Sequence, residues 1–316
     1  MTFDLGLSGA CRRSDADQLY GRYEVRSAVR TGALHTPWPG VLVNAEHAAE
    51  PLTIMSAAWL AVGRDSLLTG PSAAVLHGLT AMPATPVHLV VPYDSRQRSR
   101  RGIVVHKGTA LLDDRDERCG LPVLRLERVI SDLACTASPS DALAVIDQAL
   151  AVLKEEERPT FRRRLRERLQ DRPDPRGTRI ARRLVDLATG LAESPPESWW
   201  LWRVVDLGFP VPEVNFWIRD LDGVGLFRLD LGWPELRIGL EHNGYAAHHR
   251  REDRDADRLA DLERRDWSMV VVERDDLHSI SRMEGELHEA FRRRGVDLRG
   301  RVVGSLRPLP HRGGRR

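Results

Sequence analysis

The stretch from Arg228 to His249, RLDLGWPELRIGLEHNGYAAHH, constrains this chain more than any other. Alternation predicts two apolar strands. Phe227, Leu229 and Leu231 point one way in the first, and Leu236, Ile238 and Leu240 point one way in the second. Asp230 and Glu241 then fall on the opposite, polar faces. A buried carboxylate is costly unless it is paired or binds a cation, so two on adjacent strands point to a hard-metal site, Mg²⁺ or Mn²⁺, with oxygen ligands. Such an ion polarises a phosphate and acidifies water, which is phosphodiesterase chemistry. With the turn at Trp233 and Pro234, the residue facing Glu241 is near Leu226, and Asp230 stands roughly 13 Å away along the strand. Only a later turn, a bulge or strong twist brings the two acids together.

The flanks extend the pattern. Upstream, Ser194-Pro195-Pro196-Glu197 opens a helix carrying Trp199, Trp200, Leu201, Val204, Val205 and Leu207 and ending at Gly208. Glu197 lies at its start, where a carboxylate complements the helix dipole. Downstream, Arg250 to Arg265 is a charged helix with Ala256, Leu259, Ala260 and Leu262 on its apolar side, followed by a strand from Ser268 to Glu273. The expected order is helix, strand, strand, helix, strand.

Between about Ser194 and Ala290 the chain resembles the Vsr-like domains of the PD-(D/E)XK restriction-endonuclease-like fold. The carriers are SPxES, then Gly208, Pro210 and Pro212, RxDxxWPE (Arg228 to Glu235), ExxGxxxHH (Glu241 to His249) and DRxxxLxxxxW (Asp257 to Trp267). The resemblance implies that Glu197, Asp230 and Glu241 line a nuclease site, with His248 or His249 in place of the fold's usual lysine. Two residues after the second acid stands Asn243, where the fold has lysine and this branch usually aspartate. Asn243 keeps a carbonyl oxygen that can ligate a metal but brings no charge and no base. His248 or His249 would accept the proton of the attacking water or position that water, and a His-His pair after a Gly-containing turn also suits plain polar surface.

A second signal lies near the N-terminus. Ser14 to Asp17 has capping-box spacing for a short helix to Tyr20; Gly21 breaks it, and Tyr23 to Thr31 forms another, stopped at Gly32. That is helix-turn-helix spacing, with His35 to Val43 as a short wing. Arg22, Arg26 and Arg30 recur every four residues on one face, while Val25 and Val29 supply the core face. Arginines so placed suit phosphates and guanine edges. From here to about Ala151 the chain resembles the AbiEi antitoxins, transcriptional regulators of abortive-infection toxin-antitoxin pairs. The carriers are GALxxxxPGV (Gly32 to Val41), PSAAVLHGL (Pro71 to Leu79), VHLVVP (Val87 to Pro92) and GLPVLRLERVISDLA (Gly120 to Ala134). The resemblance implies DNA binding and self-repression, with a cognate toxin as a possible partner and structural duties for His77, Gly78 and His88.

The 316 residues suit several α/β domains: a winged helix-turn-helix over 1–50, a small α/β module over 51–155, a helical connector over 156–192, the endonuclease-like domain over 193–292 and a basic tail over 293–316. Net charge is only +2, so any nucleic-acid surface is local. Two arginine clusters exist, Arg158 to Arg183 around Pro173-Asp174-Pro175, and Arg292 to Arg316 with nine arginines against Asp297. The second suits either a solvated end or a phosphate-binding arm. Cys11, Cys119 and Cys135 are too dispersed for a disulfide framework or a zinc site, and no signal peptide or span of about 18 apolar residues is present. The expectation is a cytoplasmic, DNA-binding protein without membrane contact, acting as a metal-dependent endonuclease or as a catalytically inactive regulator that uses the nuclease fold for DNA or partner binding.

Overall fold

The computed structural model describes residues 3–242, 252–273 and 281–298, and singly 276, 279, 300 and 303. It is mixed α/β, with three sheets among the described residues, and no helix there is long and apolar enough to cross a membrane. The chain forms two compact units, Met1–Leu133 and Ala134–Arg316.

The first unit begins with β1 (Ala10–Arg12), α1 (Arg13–Tyr20), α2 (Arg22–Thr31), β2 (Leu34–His35) and β3 (Val41–Asn44), the strands ordered β1-β3-β2. Gly21 breaks the two helices apart at φ +89°, and Gly32 ends α2 in the left-handed conformation, as the spacing predicted. The expected Ser14 cap is not made. The helix already starts at Arg13, so the Ser14 hydroxyl lies inside the first turn and donates to the Asp15 carboxylate instead. Val25 and Ala28 turn into a core with Ala16, Leu34 and Leu42, leaving the opposite face of α2 to solvent.

A second sheet follows, ordered β6-β5-β4-β8-β7. In chain order its parts are α3 (Pro51–Val62), β4 (Leu67–Leu68), α4 (Gly70–Leu76), β5 (Val87–Val91), β6 (Ile103–Lys107), β7 (Arg115–Arg118), β8 (Leu121–Leu124) and α5 (Leu126–Thr136). His77 bonds through Nε2 to the Leu124 carbonyl at 2.8 Å, joining α4 to β8, and His88 Nδ1 meets His106 Nε2 at 3.0 Å across β5 and β6.

The second unit contains α6 (Pro139–Ala151), α7 (Arg158–Gln170), α8 (Thr178–Leu187), α9 (Pro195–Asp206), β9 (Glu213–Arg219), β10 (Gly225–Trp233), β11 (Ile238–His242), α10 (Glu252–Arg264), β12 (Ser268–Val272) and α11 (Ser281–Arg293). Its sheet runs β12-β11-β10-β9, with β11 and β12 parallel through the α10 crossover. Strand β9 is an addition to the expected order. Its inward residues Val214 and Ile218 alternate with exposed Glu213, Trp217 and Arg219, and it pairs antiparallel with β10. Leu229, Ile218, Leu262 and Trp267 form one side's apolar cluster. At Gly239 a Cβ would stand 2.7 Å from both Leu229 Cδ1 and Met269 Sδ, so these two side-chain ends would have to move aside to admit one.

Helix α6 packs against both α8 and α9. The fully buried Asp147 of α6 ties this assembly together, accepting the N–H groups of Thr189 and Gly190 and the Ser198 hydroxyl, each at 2.7 Å. Residues 156–192, expected as a connector, thus hold two helices packed within the second unit.

Candidate active site

The turn between the two acidic strands comes later than Trp233-Pro234. β10 continues through Trp233, Pro234–Leu236 makes a 3-10 turn, and Arg237 takes a left-handed conformation at φ 49° before β11 starts. Leu236 consequently leaves the strand pattern. Register is Leu231 opposite Leu240, Gly232 opposite Gly239 and Trp233 opposite Ile238. One step further along the same ladder places Asp230 opposite Glu241, which removes the four-residue offset. The His242 backbone N–H confirms the proximity by donating to Asp230 Oδ2 at 2.7 Å.

Glu197 reaches the same place from the first turn of α9. Ser194 occupies the cap position, but its hydroxyl donates to Glu197 Oε1 at 2.8 Å rather than capping the helix. The Glu193 N–H donates to Glu197 Oε2 at 2.8 Å, and Asn215 Nδ2 does so at 3.3 Å. Glu197 is therefore buried and fixed. Burial comes first among the causes that push the Asp230 carboxyl up to about 6; the His242 N–H opposes it, and the nearby negative charges of Glu197 and Glu241 add to it.

Two arginines complete the cluster. Arg258 of α10 grips the Glu241 carboxylate with both terminal nitrogens and donates to the Arg228 carbonyl at 2.8 Å. Arg228, two residues from Asp230 on β10, pairs with Glu193 and lies 5.8 Å over the Trp217 ring. His242 is half-buried beside Trp200, with ring centroids 6.3 Å apart, and burial lowers its pKa.

Among the described residues, no group of three or more His, Cys, Asp or Glu side chains is placed to hold a metal ion. Mg²⁺, however, keeps several waters and is commonly bound through one or two carboxylates. Asp230 and Glu241 supply that pair of hard oxygens, and the like-charge strain on Asp230 is what a cation relieves, so the donor set fits such an ion provided Arg258 yields its hold on Glu241. Asn243, His248 and His249 lie outside the described residues.

Of the other expected site residues, Arg22, Arg26 and Arg30 are all exposed on α2, joined there by exposed Tyr23. They belong to the first unit, whereas the carboxylates belong to the second. Sequence reasoning did not single out Arg228, Arg258, Asn215, Glu193 or His242. Arg228 carried a signal, since a residue two positions from Asp230 shares its strand face. Arg258 was visible only as the arginine of the DRxxxLxxxxW pattern, and Asn215 carried no signal, because its partner is 18 residues away.

No family model matches the chain. Two proteins of Mycobacterium tuberculosis, from strains CDC 1551 / Oshkosh and ATCC 25618 / H37Rv, are each 29% identical to it over 269 residues, covering 81% of this chain and 91% of the relative. Both are described as uncharacterized proteins, so the similarity conveys relatedness reaching into both units without an activity attached.

Proposed function

We propose that this protein binds DNA and that its second unit, a Vsr-like endonuclease domain, hydrolyses phosphodiester bonds with Mg²⁺ or Mn²⁺. The observation that carries the reading is the cross-strand pairing of Asp230 with Glu241, with Glu197 close enough to raise the Asp230 pKa further. Perturbed acids converging from separate elements are a mark of functional sites. Asp230 and Glu241 would hold the ion, which when bound supplies Lewis-acid polarisation of the scissile phosphate. Glu197, fixed by Ser194 and Glu193, orients the attacking water. Arg258 and Arg228 offer guanidinium groups to the phosphate, and His248 or His249 takes the water's proton. In the first unit, the α1–α2 pair and the β2–β3 ribbon support a winged helix of the AbiEi type, with Arg22, Arg26 and Arg30 facing DNA. A cytoplasmic setting accords with this reading.

One observation favours the second reading, a non-catalytic regulator or antitoxin. Arg258 already neutralises Glu241, leaving a nuclease fold able to serve as a DNA or toxin-binding surface. Cleavage of supercoiled and mismatch-containing DNA with Mg²⁺ or Mn²⁺, comparing wild type with Glu241→Ala at matched folding, separates the two. The nuclease reading expects metal-dependent nicking that falls on the order of 100-fold or more in the variant. Uncut DNA with retained, salt-sensitive binding would establish the regulator.

A further inference from the structure

The second unit carries a charge concentration that the carboxylate site does not use. Residues 158–187 contain eleven arginines, no lysine and four acids, Glu167, Asp171, Asp174 and Asp186. That surplus of seven sits in a chain of net +2, so everything outside this segment sums to −5. Helices α7 and α8 make an antiparallel pair here. Arg162, near the start of α7, donates to the Val185 and Ala188 carbonyls at the end of α8, while Arg182 of α8 donates to the Leu169 carbonyl at the end of α7.

Faces are sharply divided. Phe161, Leu165 and Leu169 of α7 and Ile180, Ala181, Leu184 and Val185 of α8 are buried, whereas Arg163, Arg164, Arg166, Arg179, Arg182 and Arg183 are exposed. An ordinary solvated helix face interleaves both signs in i,i+4 pairs. Here arginines outnumber acids eleven to four, and pairs such as Arg163 with Glu167 at 3.7 Å and Arg166 with Asp186 at 2.7 Å lie at the surface. Pairs of this exposed type are readily exchanged for a stronger anion. The exclusive use of arginine suits forked, bidentate contacts with phosphate oxygens. At about 1.5 Å per residue, α7 is about 20 Å long, the rise of roughly six base pairs. The pair is also anchored to the candidate site, since α6 packs against α8 on one side and against α9, which bears Glu197, on another.

We propose that the outer face of α7 and α8 is a sequence-independent clamp for the phosphate backbone of double-stranded nucleic acid. This rests on the nucleic-acid reading above and assigns a second surface to it. The partner is a duplex rather than an acidic protein, because a duplex presents a regular row of bidentate anion acceptors along the length of a helix pair.

The test uses the full chain and a fluorescent 24-base-pair duplex of random sequence. Binding is measured against salt for wild type and for the fourfold variant Arg163→Gln, Arg164→Gln, Arg179→Gln, Arg183→Gln, with matched circular dichroism. At about 0.9 per lost phosphate contact, the slope of log affinity against log salt is expected to fall by about 2 to 4, with affinity at 100 mM salt dropping about tenfold or more. The double variant Arg163→Glu, Arg179→Glu repeats the measurement with fewer changes should the fourfold variant not fold. An unchanged slope in a folded variant overturns this clamp while leaving the phosphodiesterase reading to Glu241→Ala. Absence of any duplex binding by wild type overturns both. Loss of binding to phosphatidylserine vesicles or to polyglutamate, with duplex binding intact, assigns the face to another anion and overturns the proposal.

Discussion

Two aspartates flank the same helix and live very differently. Asp147, on the α6 side of α9, is fully buried, and three donors at 2.7 Å converge on its carboxylate. Asp230, on the β10 side, has one backbone N–H as donor, two other carboxylates nearby and the Arg258 guanidinium as a weaker counterweight. Burial raises the pKa of both, yet at Asp147 the Gly190 and Thr189 N–H groups, the Ser198 hydroxyl and Arg162 pull it back down, whereas at Asp230 Glu197 and Glu241 push the same way as burial. A buried charge surrounded by donors is architecture. One set beside more of its own sign stays charged only at a cost to folding.

The sharpest way to break this contrast is Asp147→Ala. It strands the Ser198 hydroxyl and the Thr189 and Gly190 N–H groups without an acceptor, and a loss of about 3–5 kcal/mol is expected in a urea melt. Little change would mean that α6 and α9 are held by their apolar contacts alone. Asp230→Asn should act in the opposite direction. The folded pKa of Asp230, about 6, lies above the ordinary aspartate value of 3.8, so its folded state favours the proton. The stability this gives is complete below about pH 4 and lost as pH rises through 6. The asparagine variant is therefore expected to be more stable than wild type at pH 7 by about 2–3 kcal/mol, with the difference vanishing toward pH 4. A variant that is less stable at pH 7 would show Asp230 to be an architectural acid like Asp147. The smallest expected effect belongs to Arg258→Gln, which removes the resident counter-ion of Glu241. Calorimetry should show Mn²⁺ binding about five- to tenfold tighter than in wild type, a difference of about 1 kcal/mol. Weaker binding would mean that the guanidinium shapes the site rather than competing for it.

The legible parts of the chain were those with local chemical marks. Gly21 and Gly32 bracket α2, Pro195 and Gly208 bracket α9, and apolar alternation identifies β10 and β11. The strand register stayed open between an earlier and a later turn because the turn hinges on Arg237 in a left-handed conformation, a role that sequence signals assign to glycine or asparagine. The arginine-rich segment was read as a helical connector, while the apolar spacing of Phe161, Leu165 and Leu169 that packs it into the second unit was overshadowed by charge and the Pro173-Asp174-Pro175 break. Acids on the two strands were visible individually. Their partners were not, since the cation on Glu241 comes from the crossover helix, 17 residues away; the donors to Asp147 of α6, 42 to 51 residues away, were equally beyond local signals.

That crossover has a thermodynamic consequence. Arg258 is delivered by the same helix that connects β11 to its parallel neighbour β12, so it is tethered to the strand it neutralises. A tethered ion does not dilute. Its effective concentration at Glu241 is set by chain length and helix packing and stays constant whatever the surrounding solution contains. On the nuclease reading proposed above, a divalent ion would compete against this fixed internal level, and its apparent affinity would be lowered by the same factor at every ion concentration.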